Sequence, residues 1–169
     1  MAGATVHRFP AASFSAVRAR IGEALQRLRV GRLVCSAACG ADQAALEAAG
    51  ELGIPRRVIL PFAESHFRET SVVDRGAELG PPFDRVMSEL KAQDAVLTLD
   101  YAGGDELAAY TAANEIILDE AQGLGRAADA AVVAVLVAEA EAAYEGMNDS
   151  FAAEAKLRGL PIVWISTKA

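Results

Sequence analysis

The sequence predicts an α/β fold: a doubly wound and mostly parallel sheet of about five strands with helices on both faces. Short apolar runs alternate with amphipathic helical patterns along the chain, and such alternation builds βαβ units with parallel strands. The length of 169 residues suits a single domain over 1–169. A hydrophobic content of 53% with 23% charged residues excludes a disordered chain.

The first half of the chain supplies two helices and two strands. Apolar residues recur at helical spacing from Phe14 to Leu28, and alanines do so from Ala41 to Ala48. The short apolar runs between and after these helices have strand length. In order, the predicted elements are a helix from Phe14 to near Gly31, a strand ending at Ser36, a helix from Ala41 to Gly53 and a strand over 57–60.

The connection over 62–80 holds many charged residues and no sustained periodicity, which predicts a short helix inside a long exposed connection. A strict alternation resumes after it. The predicted elements are a helix over 82–92, a strand over 94–99, a helix that begins after Gly104 and ends near Gly123–Gly125, a strand over 131–138, a helix over 150–158 and a strand over 161–165.

Charge and composition exclude several partners. The net charge of −7 and the lack of a Lys/Arg block argue against nucleic acid, whose affinity depends on clustered cations. No apolar run approaches the ~20 residues that span a bilayer, and the N-terminus lacks the features of a signal peptide. We therefore expect a cytoplasmic protein with no nucleic-acid or membrane partner.

The cysteines do not predict a metal site. Cys35 and Cys39 lie four residues apart, and only His7 and His66 add further soft ligands, fewer than a tetrahedral site needs. A redox pair or a reactive thiol at a helix N-terminus is one interpretation, and small buried core residues are the other, which we favour. We expect neither a metal nor a cofactor.

A turn of small residues joins the first strand to the second helix and is the best candidate for a ligand site. Small side chains let a ligand approach the backbone, and the unpaired N–H groups of a helix's first turn carry a partial positive charge that suits a phosphate. Close packing of strand and helix explains the same composition, and a single glycine makes a weak motif. The residues concerned are Ser36, Ala37, Ala38, Gly40 and Asp42.

Two further groups of polar residues are candidates. Asn114 is the only amide on the inward stripe of its helix, so it needs partners, either backbone groups of a neighbouring loop or ligand atoms. Tyr110, one turn earlier, could cover a planar ring. The turn before the last predicted helix is expected at the same carboxyl edge of the sheet. Its polar residues are Asn148, Asp149 and Ser150. Helix capping and ligand binding both explain them.

The chain resembles the SLOG superfamily, the Rossmann-like group that unites DprA-type and LOG-type proteins, and in particular its bacterial members from nucleotide-signalling and conflict-system contexts. The similar stretches are VCSAACGAD over 34–42, GIP over 53–55 and VILPF over 58–62. Further similarity lies over 8–10, at Phe67, over 71–72, over 85–87 and from Tyr110 to Asn114. The resemblance implies binding of a nucleotide or nucleotide-derived small molecule. Asp42 would then cap the helix or bind a ribose hydroxyl, and Asn114 with Tyr110 would contact a base or sugar.

The sequence departs from that family in two places. Only seven residues precede Arg8, too few for the usual first strand and its turn, so this strand is expected to be absent or vestigial. LOG-type phosphoribohydrolases carry P-G-G-x-G-T-x-x-E, whereas this chain has GMNDSFAAE over 146–154. The glycines are mostly replaced, and Glu154 comes one residue late, about 100° round the helix.

We therefore expect a ligand-binding or sensing domain rather than an enzyme. Two alternatives remain: a LOG-like nucleoside-monophosphate phosphoribohydrolase with Glu154 or Asp149 as its acidic group, and an interaction domain that has lost its pocket. We also expect a homodimer or higher homo-oligomer. A sheet edge left by the missing strand would recruit a partner, and the flat alanine face over 41–49 could pack against a second copy.

Overall fold

The computed structural model describes residues 13–101, 105–138 and 150–167. Its helices are α1 (Phe14–Arg27), α2 (Ala41–Glu51), α3 (Glu64–Ser71), α4 (Gly80–Ala92), α5 (Glu106–Ala128) and α6 (Ser150–Leu157). Its strands are β1 (Leu33–Cys35), β2 (Arg56–Leu60), β3 (Val96–Thr98), β4 (Ala134–Ala138) and β5 (Ile162–Ser166). Two 3-10 turns, Val73–Arg75 and Ala77–Leu79, lie between α3 and α4.

The strands pair in parallel. One sheet has the order β1-β2-β3, with Leu33 opposite Arg56 and Val58 opposite Val96, and a second sheet joins β4 to β5. The predicted α/β class with parallel strands is confirmed. The single sheet of about five strands is not what the structure shows, because the ladders of the described residues group the strands as three and two.

Two apolar clusters give the sheets a helical layer on each face. Cys35 of β1 and Val135 of β4 belong to one cluster together with the buried residues of α1, α2 and α4. Val34 and Leu136, their neighbours in sequence, belong to the other cluster with residues of α5 and α6. Since side chains alternate along a strand, β1 and β4 contribute to the same two layers although they lie in different sheets.

Helix α2 is buried within its own chain. Its alanines are almost fully inaccessible, with Ala44 and Ala45 at 0% exposure, and α2 packs against α1, where a Cβ on Gly22 would lie 3.9 Å from Cβ of Ala48. The alanine face over 41–49 is therefore not an open surface for a second copy. The predicted homo-oligomer stays a prediction, and residues 1–7, on which its other argument depends, lie outside the described residues.

Helix α5 continues past the glycines that were expected to end it. It runs to Ala128 and is closed by Asp129 in the left-handed conformation. Glycine inside a helix costs only about 1 kcal/mol relative to alanine, and Gly125 has a packing reason to be there. A Cβ at this position would lie 2.7 Å from Cγ2 of Val132, so glycine allows the chain to double back towards β4.

Across the described parts of the chain, no helix combines the length and the apolar character needed to cross a bilayer.

Candidate functional site

The turn between β1 and α2 depends on Gly40. Gly40 is the N-cap residue of α2 and has φ 103° and ψ −120°, a conformation that glycine adopts readily and side chains with a Cβ rarely do. The chain thereby reverses within a few residues of Cys35 and directs the first turn of α2 back at the carboxyl end of β1. This is the position where open α/β sheets bind their ligands.

Asp42 connects the helix to the turn. Its side chain is 2% exposed, and its Oδ2 accepts a hydrogen bond of 3.3 Å from the backbone N–H of Ala38. The predicted N-capping role is thus wrong in detail, because Gly40 is the N-cap and Asp42 bonds to a residue that precedes it. Burial raises the pKa of Asp42 to about 6, and the hydrogen bond from Ala38 opposes that rise.

Two buried polar atoms at this site have no hydrogen-bond partner among the residues that the structure describes. They are Oδ1 of Asp42 and Oγ of Ser36. A buried polar atom left unpaired costs about 1–3 kcal/mol, so native proteins rarely keep one unless water, a ligand or a functional role accounts for it. Asp42 and Ser36 are therefore the predicted site residues that most directly indicate a ligand.

The backbone of the turn is largely covered. Ala37 is 1% and Cys39 is 5% exposed, and the N–H of Cys39 donates a hydrogen bond of 3.0 Å to the carbonyl oxygen of Ser71. Ala38 also uses its N–H within the protein, towards Asp42. The backbone donors predicted to meet a phosphate are thus partly occupied by the chain itself, and α3 lies over them.

Tyr110 reaches this region through Ser71. Its hydroxyl group and Oγ of Ser71 form a hydrogen bond, and its ring meets the ring of Phe62 edge to face at a centroid distance of 5.6 Å. The aromatic side chains of Phe62, Phe67 and Tyr110 form one cluster at the end of β2. The structure therefore brings Tyr110 to the predicted site, and Asn114, half-buried, lies one helical turn further along α5.

Ser71 and Arg75, both from the connection between β2 and α4, were not among the predicted site residues. Ser71 contacts the turn directly. The positive charge of Arg75 acts on the thiol of Cys39, where it opposes the burial that raises the pKa of this thiol to about 11. The length and charge of the connection marked it as a functional region without singling out a position. Ser71 also lies in a stretch similar to the SLOG superfamily, but that similarity gave it no role.

The cysteines behave as buried core residues. Both are free thiols, and burial raises the pKa of Cys35 far above its usual range. Because a thiolate is the reactive species, neither thiol is activated in the folded protein. The structure favours the core interpretation over a redox pair.

Glu154 is held away from the turn. Its carboxylate accepts a hydrogen bond of 2.8 Å from Nε of Arg158, and Nη1 of Arg158 contacts Asp119 at 2.6 Å. Asp119 follows Tyr110 by more than two turns of α5, roughly 13 Å at about 1.5 Å per residue. Glu154 is thus part of an ion-pair network between α5 and α6. Asn148 and Asp149 lie outside the described residues, as does the side chain of Ser150, the first residue of α6.

A surface depression of about 440 Å³ lies elsewhere, at the C-terminal end of α5, lined by residues such as Arg126, Asp129 and Leu160. This is the end of the helix that leads into β4, opposite the end that carries Tyr110. In parallel sheets ligands bind at the carboxyl edge of the strands, so we do not place the site there. Within the described ranges, no group of three or more His, Cys, Asp or Glu side chains is arranged to hold a metal ion.

Comparison of the chain with protein-family models, with curated protein sequences and with solved structures gave no match.

Proposed function

We propose that the chain binds a nucleotide or nucleotide-derived small molecule at the carboxyl edge of β1 and acts as a binding or sensing domain. The observation that carries this proposal is the pair of buried, unpartnered atoms, Oγ of Ser36 and Oδ1 of Asp42. Ser36 lies in the small-residue turn that enters α2, and Asp42 lies in the first turn of α2, where the helix N-terminus favours an anion. The resemblance to the SLOG superfamily, and with it a Rossmann-like arrangement of the five strands, is part of the same proposal.

The chemistry of the two atoms suits a sugar phosphate. With a pKa of about 6, Asp42 is mostly ionised at neutral pH, so its Oδ1 is an acceptor for a hydroxyl group such as that of a ribose. Hydrogen bonds to an ionised acceptor are about twice as strong as neutral ones. The hydroxyl of Ser36 is a donor that a phosphate oxygen satisfies. One ligand that carries both a hydroxyl group and a phosphate would give both of these buried atoms a hydrogen-bond partner.

Binding rather than hydrolysis is supported by the position of Glu154. Its carboxylate is engaged by Arg158, which also contacts Asp119. A general acid or nucleophile must reach the reacting bond, and this carboxylate lies in the network between α5 and α6. The LOG-like hydrolase is accordingly the weaker alternative.

A ligand-free interaction domain is the second candidate, and one observation favours it. The carbonyl oxygen of Ser71 occupies the N–H of Cys39, and the turn around it is buried. A domain that had lost its ligand would be expected to fill the former site with its own chain in this way.

A thermal-shift series with AMP, 3′,5′-cyclic AMP and ADP-ribose separates the two candidates. A ligand present at about 100 times its Kd stabilises the folded state by about 2.7 kcal/mol, which corresponds to a rise in Tm of roughly 5–10 °C for a domain of this size. The binding proposal predicts such a rise with at least one of the three compounds. If none of them shifts Tm at millimolar concentration, the interaction domain is favoured instead.

A further inference from the structure

The segment 64–79, which we call the lid, consists of α3 and the two 3-10 turns that follow it. We propose that the lid opens while the rest of the domain stays folded, and that in its closed position the carbonyl oxygen of Ser71 takes the place of an acceptor oxygen of the ligand. This inference rests on the proposed function. When the lid is closed, the chain's own backbone occupies the site, so a ligand must compete with it.

The hydrogen bond between Cys39 and Ser71 places an acceptor oxygen at the position proposed for the anion of the ligand. Cys39 immediately precedes the N-cap residue Gly40. Its backbone N–H donates a hydrogen bond of 3.0 Å to the carbonyl oxygen of Ser71. Groups with negative charge or partial negative charge are favoured at a helix N-terminus, and a carbonyl oxygen is the weakest member of that series. A phosphate oxygen would be the stronger acceptor for the same N–H.

The charged side chains that fasten the lid are near the surface. Nε2 of His66 lies 2.9 Å from a carboxylate oxygen of Glu106 on α5, with 49% and 57% of the two side chains exposed. Two ion pairs join the lid to α4, Arg68 with Asp84 and Glu64 with Lys91. Exposed ion pairs contribute little to stability. Two further hydrogen bonds of the lid are half-buried, one between Ser71 and Tyr110 and one of 3.5 Å from the side chain of Gln43 to the carbonyl oxygen of Leu79.

The apolar anchors of the lid are Phe67 and Val72, both fully buried in the cluster that lies under α2 and α4. They hold the lid closed in the absence of ligand. If only a small fraction of molecules has the lid open, the apparent affinity for the ligand falls by that fraction. Shortening one anchor should therefore raise the apparent affinity by the factor by which it raises the open population.

The two cysteines report on this opening. Cys39 lies beneath Ser71 and is 5% exposed, whereas Cys35 lies inside β1 and is 0% exposed. Opening of the lid would uncover Cys39 alone, while unfolding of the whole domain would uncover both. Rates of iodoacetamide labelling, measured separately in the single-cysteine variants Cys35→Ala and Cys39→Ala, distinguish the two events.

The test compares Val72→Ala with Val86→Ala, a matched control that removes the same atoms from α4 in the same apolar cluster. We expect Val72→Ala to accelerate labelling of Cys39 at least tenfold over Val86→Ala, with Cys35 labelled equally slowly in both, and to lower the Kd for AMP by a similar factor. If Val72→Ala does not fold, Ser71→Ala, which removes only the bond to Tyr110, is expected to show the same selectivity for Cys39.

Labelling of both cysteines at one rate in every variant would overturn the lid. Selective labelling of Cys39 without binding of AMP, 3′,5′-cyclic AMP or ADP-ribose to any variant would support the opening of the lid and contradict the nucleotide ligand. The two failures are thereby distinguished, because the labelling rates require no ligand.

Discussion

The backbone N–H of Ala38 donates a hydrogen bond to Oδ2 of Asp42 across 3.3 Å, while Oδ1 of the same carboxylate has no partner in the described part of the chain. One oxygen of Asp42 thus fixes the turn, and the other is the atom that the proposed ligand would contact. Asp42 therefore has a raised pKa and a proposed role in binding. Each can be tested separately.

The pH dependence of stability tests the burial of Asp42. Its pKa is raised from the ordinary value of 3.8 to about 6, so the folded state binds a proton more tightly than the unfolded state between these values. This contribution to stability is fully present below the unfolded pKa, and it is lost as pH rises through about 6. A difference of about two units corresponds to about 3 kcal/mol. Chemical denaturation at a series of pH values measures it.

Asp42→Asn is the control for that experiment. An amide of the same shape keeps an acceptor for the N–H of Ala38 and does not titrate. The variant should be more stable than the parent protein near neutral pH, and the pH dependence between 3.8 and about 6 should be smaller by the contribution of this carboxyl. Identical pH profiles for the two proteins would show that Asp42 is not buried as described.

Gly40→Ala tests the backbone of the turn. At φ 103° a Cβ is strained, and backbone strain of this kind costs of order 1–3 kcal/mol. Gly31→Ala is a suitable control, because a Cβ at Gly31 meets no atom within 4 Å, and this change should alter the free energy of unfolding by less than about 0.5 kcal/mol. Equal effects of the two substitutions in urea denaturation would contradict the geometry assigned to Gly40.

Glu154→Gln tests the alternative hydrolase. Because Glu154 pairs with Arg158 at i,i+4 on α6, removal of its charge should lower stability by under about 1 kcal/mol. The parent protein should release no free base from AMP above the background rate, as followed by chromatography. Turnover in the parent that disappears in Glu154→Gln would support the hydrolase and contradict the binding proposal.

The extent of α2 and its small-residue turn was predictable, because helix-period alanines and a flanking glycine are local signals. The positions of the strands were predictable because short apolar runs between helices are also local signals. Their division into sheets of three and two was not, since pairing between distant segments leaves no periodicity in the sequence. The true end of α5 was missed because the packing of Gly125 against Val132 overrides the usual meaning of a glycine.

The candidate site was predictable only in its first part. Three of its residues lie close together in the chain, namely Ser36, Ala38 and Asp42. Their proximity in space could therefore be predicted without knowledge of the fold. The contact of Ser71 with Cys39 joins two connections that are far apart in sequence. Nothing in the composition of the segment 62–80 indicates that its helix lies over the turn, and this is why the covered state of the site came from the structure alone.

The oligomeric state remains a separate prediction. We expect a homodimer or higher assembly, since twofold assemblies are the commonest form of soluble homo-oligomer, although the alanine face of α2 is used within the chain. Light scattering coupled to size exclusion at micromolar concentration measures the mass. A value near the 17.7 kDa of one chain, unchanged on dilution, would show that the protein is monomeric.

Calorimetric titration of Ala38→Asp tests most directly whether a nucleotide binds at the turn entering α2, as we propose. The substitution places a negative charge where the phosphate is proposed to lie, and Ala92→Asp, an exposed position on α4, serves as the control for added charge. We predict that AMP, 3′,5′-cyclic AMP or ADP-ribose binds the parent and the control alike and binds Ala38→Asp at least tenfold more weakly. Equal affinity for all three proteins, or no binding to any, would contradict the claim.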